Sequence, residues 1–146
     1  MDFRNLLAWA VRCVSTADAG ANGVLHSFAG PAKAGVIYKL DRDRHYTVLH
    51  DFTGKVNGGK PQSSYAGVAL DSEGNLYGTT LGGSGAGTVY KVDTAGVETV
   101  LHSFTGGSDG GQPAAGLILD SAGSLYGTTR YGGKYNHGVI FEIQNQ

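Results

Sequence analysis

Apolar residues recur along this chain in short runs, cut by Gly, Asp and Asn, and not at the spacing of a helix. Residues 76–80 read LYGTT, 88–92 read TVYKV and 98–104 read ETVLHSF. A shorter run, 68–70, precedes them across Asp71-Ser72-Glu73-Gly74-Asn75. Side chains alternating with period two mark a strand, and Gly with Asp or Asn between two such runs marks a hairpin turn. The pattern predicts four antiparallel strands at 68–70, 76–80, 88–92 and 98–104. Turns fall at 71–75 and 94–96, and a Gly-rich loop spans 81–87. Simple alternation places Thr88, Tyr90 and Val92 on one face, and likewise Val100, His102 and Phe104. The other faces carry Val89 and Leu101, so neither is strictly polar, as suits a sheet covered on both sides.

The same pattern returns. Residues 48–54, VLHDFTG, come back as VLHSFTG at 100–106, and GVALDSEGNLYGTT at 67–80 comes back as GLILDSAGSLYGTT at 116–129. Residues 86–92 match 137–143. A third copy lies upstream: VLHSFAG at 24–30 and AGVIYKL at 34–40, with only Pro31, Ala32 and Lys33 between them, so the whole middle of the unit is missing there. The organisation that follows is an N-terminal segment, 1–22, and a repeat domain, 23–146, divided into a truncated repeat 24–47, a full repeat 48–99 and a repeat 100–146. Four antiparallel strands in about 40–50 residues match a propeller blade. The expected fold is all-β, with β-propeller-like blades in an incomplete ring of about two and a half. The last copy stops at its third strand, and an unpaired strand edge is a hazard. Residues 24–28, a last-strand sequence, are one candidate to complete it; closure between chains or an unclosed fan is the favoured alternative.

Residues 24–143, with the blocks VLHSFTGG, DGG-P-AGLILDSAG, LYGTT and GVIFEI, resemble the GloVer tandem repeat of choice-of-anchor bacterial surface proteins. The middle, P-x-x-G-[LV]-x-[LV]-D-x-x-G-x-L-Y, is also similar to NHL-type propeller repeats. The resemblance implies an exported protein, extracellular or at the cell surface, and brings no assigned chemistry. Such proteins usually carry more copies than this chain.

Composition narrows the classes. The 11 Lys+Arg and 12 Asp+Glu give a formal net charge of −1, which offers no footprint for nucleic acid. The single cysteine, Cys13, excludes an intramolecular disulfide and a Cys-rich zinc site. Twenty-five glycines without a collagen period point to many tight turns. Residues 3–14 are mostly apolar but carry Arg4 and Arg12, and Ala17-Asp18-Ala19 follows. This loosely resembles a secretory signal, with a short amphipathic helix or a frayed start as the alternatives. No stretch approaches the ~20 apolar residues of a spanning helix.

Residues that invite chemistry have plainer readings beside them. His26, His50 and His102 hold one position in three copies, but equivalent positions in neighbouring units stand too far apart to share a metal, so they read as packing residues. Asp71 and Asp120 open the same turn twice; an Asp there caps backbone N–H groups, and acid/base pairing is the minor reading. The loop 81–87 leads into a strand and fits no phosphate motif. Residues 106–111 lack the nine-residue tandem spacing of calcium repeats. No metal and no cofactor is expected. The loops 53–66 with 81–87, and 105–115 with 130–137, fall at one end of the strands, and that end is where any bound ligand is expected. Arg130, Tyr131, Lys134, Tyr135, Asn136 and His137 form its richest polar and aromatic group, suited to a glycan or a peptide.

The leading expectation is a non-catalytic repeat module, with a scaffold or protein-interaction role. The alternative is a propeller binding a carbohydrate or small ligand through its long-loop face. A propeller hydrolase or lyase comes third, because strands 68–70 and 117–119 bring no charged or metal-binding residue to a central channel. Expected partners are the chain itself, by ring or edge-strand assembly, or a further part of a longer protein.

Overall fold

The computed structural model describes residues 22–27, 36–41, 45–52, 67–81 and 85–144. The signal-like reading of residues 1–22 and the loop 53–66 fall almost wholly outside these. The described residues are strands and turns throughout, with no helix among them. Three antiparallel sheets follow the repeat. The first holds β1 (Asn22–Ser27), β2 (Val36–Asp41) and β3 (Tyr46–Asp51), in that order. The second holds β4 (Ala69–Leu70), β5 (Leu76–Thr80), β6 (Thr88–Val92) and β7 (Glu98–Ser103), also in chain order. The third is built on β10 (Leu125–Tyr131), with β11 (Ile140–Ile143) on one side. On its other side β9 (Ile118–Leu119) pairs with the start of β10 and β8 (Gly111–Pro113) with its end.

The four strands expected of the full repeat are present at the expected places. β8 was not expected, since 105–115 reads as loop. It forms because β10 runs two residues past the LYGTT motif, so Thr129 and Tyr131 find partners in Pro113 and Gly111. The first sheet also departs from expectation. Residues 24–27 have a last-strand sequence, yet β1 pairs with β2, with Leu25 opposite Tyr38 and His26 opposite Ile37. In the second sheet the residues opposite Tyr90 and Val89 on that side are Gly78 and Thr79 of β5. β1 therefore occupies the second-strand place left vacant by the shortened repeat and does not complete the third sheet.

One irregularity decides which side chains face which neighbour. The register between β6 and β7 runs Tyr90 opposite Val100 and then Val89 opposite His102, so β7 carries an extra residue there. A bulge of this kind breaks the alternation of faces. Val100 shares the face of Tyr90, and His102 shares the face of Val89. The expectation that Val100 and His102 lie on one face is overturned. The first sheet repeats the irregularity at the same place, with Tyr38 opposite Val48 and Ile37 opposite His50.

Two cores result, one on each side of the second sheet. Tyr90, Val92 and Leu76 pack with Ile37 of the first sheet and with Phe52, which directly follows that sheet. Tyr77 and Val89 pack on the opposite side with Phe104, Leu117 and Leu125. Every residue of β5 is buried. Removing an aliphatic or aromatic side chain of this size from water contributes about 1.5–3 kcal/mol, and the sheet gains that on both faces.

The backbone of β5 approaches the Tyr90 ring so closely that residue 78 can have no side chain. A Cβ at Gly78 would stand 2.6 Å from Tyr90 Cζ. The third sheet repeats the arrangement with Gly127 under Phe141. The Tyr90 hydroxyl is buried with no hydrogen-bond partner, and burial followed by the nearby Glu98 charge pushes its pKa far upward. Gly78→Ala is expected to destabilise the fold by about 2 kcal/mol or more, the cost of overpacking a filled core. Tyr90→Phe installs the residue the third repeat already has and removes an unsatisfied hydroxyl, so a gain of about 1 kcal/mol is expected. Urea unfolding of the two variants checks both signs.

Candidate functional site

The two ends of the sheets are built differently. At one end lie three turns with a common plan, Asp followed by Gly at the fourth place. In the first, Asp71 Oδ1 accepts the Glu73 N–H at 2.9 Å and the Asn75 N–H at 2.8 Å. Asp120 does the same for Ala122 and Ser124, at 2.9 and 2.8 Å. Asp93 does it for Ala95 and Val97, at 2.9 Å each. Gly74, Gly96 and Gly123 take φ of +90°, +82° and +85°, a region that favours glycine. The second carboxylate oxygen is also used. Tyr77 donates its hydroxyl to Asp71 Oδ2 at 3.0 Å, and Tyr126 to Asp120 Oδ2 at 3.3 Å. Asn75, buried, donates to Asp71 as well, at 2.8 Å. The repeated carboxylates thus hold turns together. The third turn, at Asp93, shares the D-x-x-G spacing and was legible in the sequence by that signal alone.

The histidines are packing residues with their nitrogens engaged. His50 stands edge-on to Phe52, 4.7 Å between ring centres, and His102 stands likewise on Phe104 at 4.6 Å. His50 Nδ1 lies 3.2 Å from the Gly96 carbonyl and Nε2 lies 3.0 Å from Glu98 Oε2. A carbonyl can only accept, so Nδ1 carries a proton. The sequence-equivalent His102 reaches instead toward Asp109, 3.4 Å from Nε2 to Oδ2. Each histidine thus ties its own sheet to the following chain segment. The His26 side chain lies outside the description.

At the other end the loops 104–113 and 132–139 interlock through their backbones. Gly133 donates to the Gly107 carbonyl at 2.8 Å, and Gly106 to that of Gly110 at 2.9 Å. Gly132 cannot bear a Cβ, which would lie 2.6 Å from the Gly107 oxygen. The second sheet joins the same knot, where Gln112 donates to the Ala86 carbonyl at 2.6 Å and Thr79 donates its hydroxyl to that of Pro113 at 3.3 Å. Thr105 donates its N–H to Asp109 at 2.9 Å and its hydroxyl to the same carboxylate. The Thr105 hydroxyl, then its N–H, hold the Asp109 carboxyl below its ordinary value.

The six candidate residues of this face divide into three groups. Tyr131 is half-buried and packs on the core between the second and third sheets. Asn136, at φ +58°, holds the loop itself: its Oδ1 accepts the Gly132 N–H at 2.9 Å. Arg130, Lys134, Tyr135 and His137 are exposed. Lys134 Nζ sits 5.2 Å from the Tyr135 ring centre, and Tyr135 is 72% exposed. Lys134 and Tyr135 are therefore the pair brought together facing solvent.

Burial raises the Asp71 carboxyl, but hydrogen bonds from Asn75, Tyr77 and Glu73 more than offset this and leave it below 3.8, its ordinary value. The same carboxylate, after burial, helps push the Tyr77 hydroxyl up to about 12. A carboxyl lowered by folding contributes stability that is fully present above its unfolded value and is lost as pH falls through the folded one. Asp71→Asn is therefore expected to cost about 1–2 kcal/mol at neutral pH. It is also expected to flatten the fall in stability on acidification below 3.8, read by urea unfolding from pH 7 to pH 2.

No curated protein matches the chain. A family described as the Gloeobacter/Verrucomicrobia repeat matches residues 14–146, which take in all three sheets and both ends just described. The chain is a member of the Gloeobacter/Verrucomicrobia repeat family.

Proposed function

We propose that this chain is a non-catalytic interaction module of an exported or surface protein, made of propeller-like units stacked face to face. The observation that carries the reading is the second sheet, apolar and buried on both faces by its equivalents on either side. Repeat scaffolds of this kind present broad faces to partners. The twice-present carboxylates and the described histidines are consumed by turns and packing, which leaves the exposed loop end as the surface for recognition. There Lys134 and Tyr135 offer a charge and an aromatic face together, on a backbone fixed by glycine contacts. That combination favours a second reading, a carbohydrate-binding face, since a tyrosine ring gives contact area at little entropic cost.

A glycan array separates the two. A scaffold gives no reproducible signal. A lectin-like face gives binding that Tyr135→Ala lowers at least about tenfold, the effect of losing about 1.4 kcal/mol of contact. The Tyr135→Ala variant should melt with the parent chain, since the residue is 72% exposed.

A further inference from the structure

The third sheet stops one strand short of the other two on the same edge. β2 and β6 each pair there with a last strand, β3 and β7. Their equivalent β11 pairs, among the described residues, with β10 alone. An edge strand presents a row of N–H and C=O groups to which another strand can add. In the second sheet the pairing runs on past β7: Phe104 donates its N–H to the Gly87 carbonyl at 2.9 Å and accepts that of Ala86 at 3.3 Å. Side chains beside the β11 edge are also more exposed than their equivalents. His50 and His102 hold the same place in successive last strands. Gly96 and Glu98, where β7 begins, close over His50 at 3.2 Å and 3.0 Å, and its side chain is 14% exposed. His102 has no such strand ahead of it among the described residues, and its side chain is 39% exposed. Leu49 packs against the core between the first two sheets, whereas its equivalent Leu101 is exposed. Ile140 is 84% exposed and its equivalent Val89 0%.

We infer that the edge of β11 takes a last strand from a different chain of this repeat type, an extended segment reading V-L-H-x-F, added antiparallel as β7 is added to β6. The register of the second sheet carries over. There Val100 stands opposite Tyr90 and His102 opposite Val89, so the incoming Val stands opposite Phe141 and the incoming His opposite Ile140. The Val faces the second sheet on the side of His102, and the His and Phe lie along Ile140 on the other side. Asp109 already gives His102 the carboxylate that Glu98 gives His50, so the arriving strand needs no acid of its own. The donor is a different chain because the V-L-H-x-F segments of this one are in sheets: residues 24–27 and 48–51 pair with β2, and 100–103 with β6. The inference rests on the stacked-unit reading above, since the fourth strand is a part of that unit.

Amide hydrogen exchange of the full chain, followed by NMR with and without a synthetic peptide of residues 96–105, GVETVLHSFT, tests this. The expected result is saturable binding that slows exchange within 140–143 at least about tenfold, the effect of about 1.4 kcal/mol, and moves the His102 ring signals. Ile140→Lys places a charge on the edge strand, a common block to strand addition, and should weaken binding at least tenfold while melting with the parent chain. No binding up to about 1 mM peptide, the weak end of specific recognition, overturns the proposal. Binding that slows exchange only outside 140–143, or that Ile140→Lys leaves unchanged, overturns it too. Slowing at 140–143 that grows with the chain's own concentration and without peptide overturns it in favour of a second copy as donor. Protection of 76–80 in the free chain reports the internal stack by itself, so a peptide that fails to bind is told apart from a stack that fails to form.

Discussion

A sheet that is apolar on both faces cannot stand alone in water, and the architecture of this chain follows from that constraint. The second sheet has Tyr90, Val92 and Leu76 on one side and Tyr77 and Val89 on the other. Neither set is covered by its own sheet alone. Each unit therefore depends on the next for its core, as in other repeat proteins. Close packing then forces the glycine positions. Gly78 and Gly127 lie beneath aromatic rings that a neighbour presses down on the strand. The recurring LYGTT motif is in this sense a record of stacking, with its glycine set by the ring and its tyrosine by the Asp turn.

The bulge gives the stack its direction. By adding one residue to the last strand, it turns Glu98 and Val100 toward the preceding sheet and His102 toward the following one. Without it, one face of β7 would carry all three. With it, one outer strand serves both neighbours: Glu98 meets His50 from behind, and His102 meets Asp109 ahead. The same shift in β3 shows that it belongs to the unit and is not a local accident.

Much of this was legible in the sequence, and the failures have identifiable causes. β5 and β6 run as the period-two pattern placed them, because Gly, Asp or Asn stands within two residues of each end. The bulge left no trace, since Val100, His102 and Phe104 alternate without a break and the extra residue exists only relative to β6. The pairing of β1 was hidden for a related reason: a last-strand sequence carries no mark of the side on which it will pair. Tyr131 was a candidate for binding because the loop is rich in polar and aromatic residues. Yet the alternation Leu125, Gly127, Thr129, Tyr131 continues the inward face of β10, where the first three are buried. Extending the strand by two residues would have removed Tyr131 from the candidates. Asn136 was likewise claimed by the fold, through a positive φ that composition does not reveal.

The division of labour between the two ends follows from how each is stabilised. At the Asp turns, side chains hold the backbone, so residue identity is fixed at the Asp and Gly of each five-residue turn. At the opposite end, backbone holds backbone: Gly107, Gly110, Gly132 and Gly133 meet with no side chain between them. Together with the Asp109 and Asn136 side chains, such a knot fixes the path of the loop while leaving other places between its glycines unconstrained. Lys134 and Tyr135 occupy such places, raised on a turn whose shape owes nothing to them. A surface made this way can change its chemistry from copy to copy without disturbing the stack beneath it. This is the property a recognition face needs, and the rigid Asp-turn end does not have it.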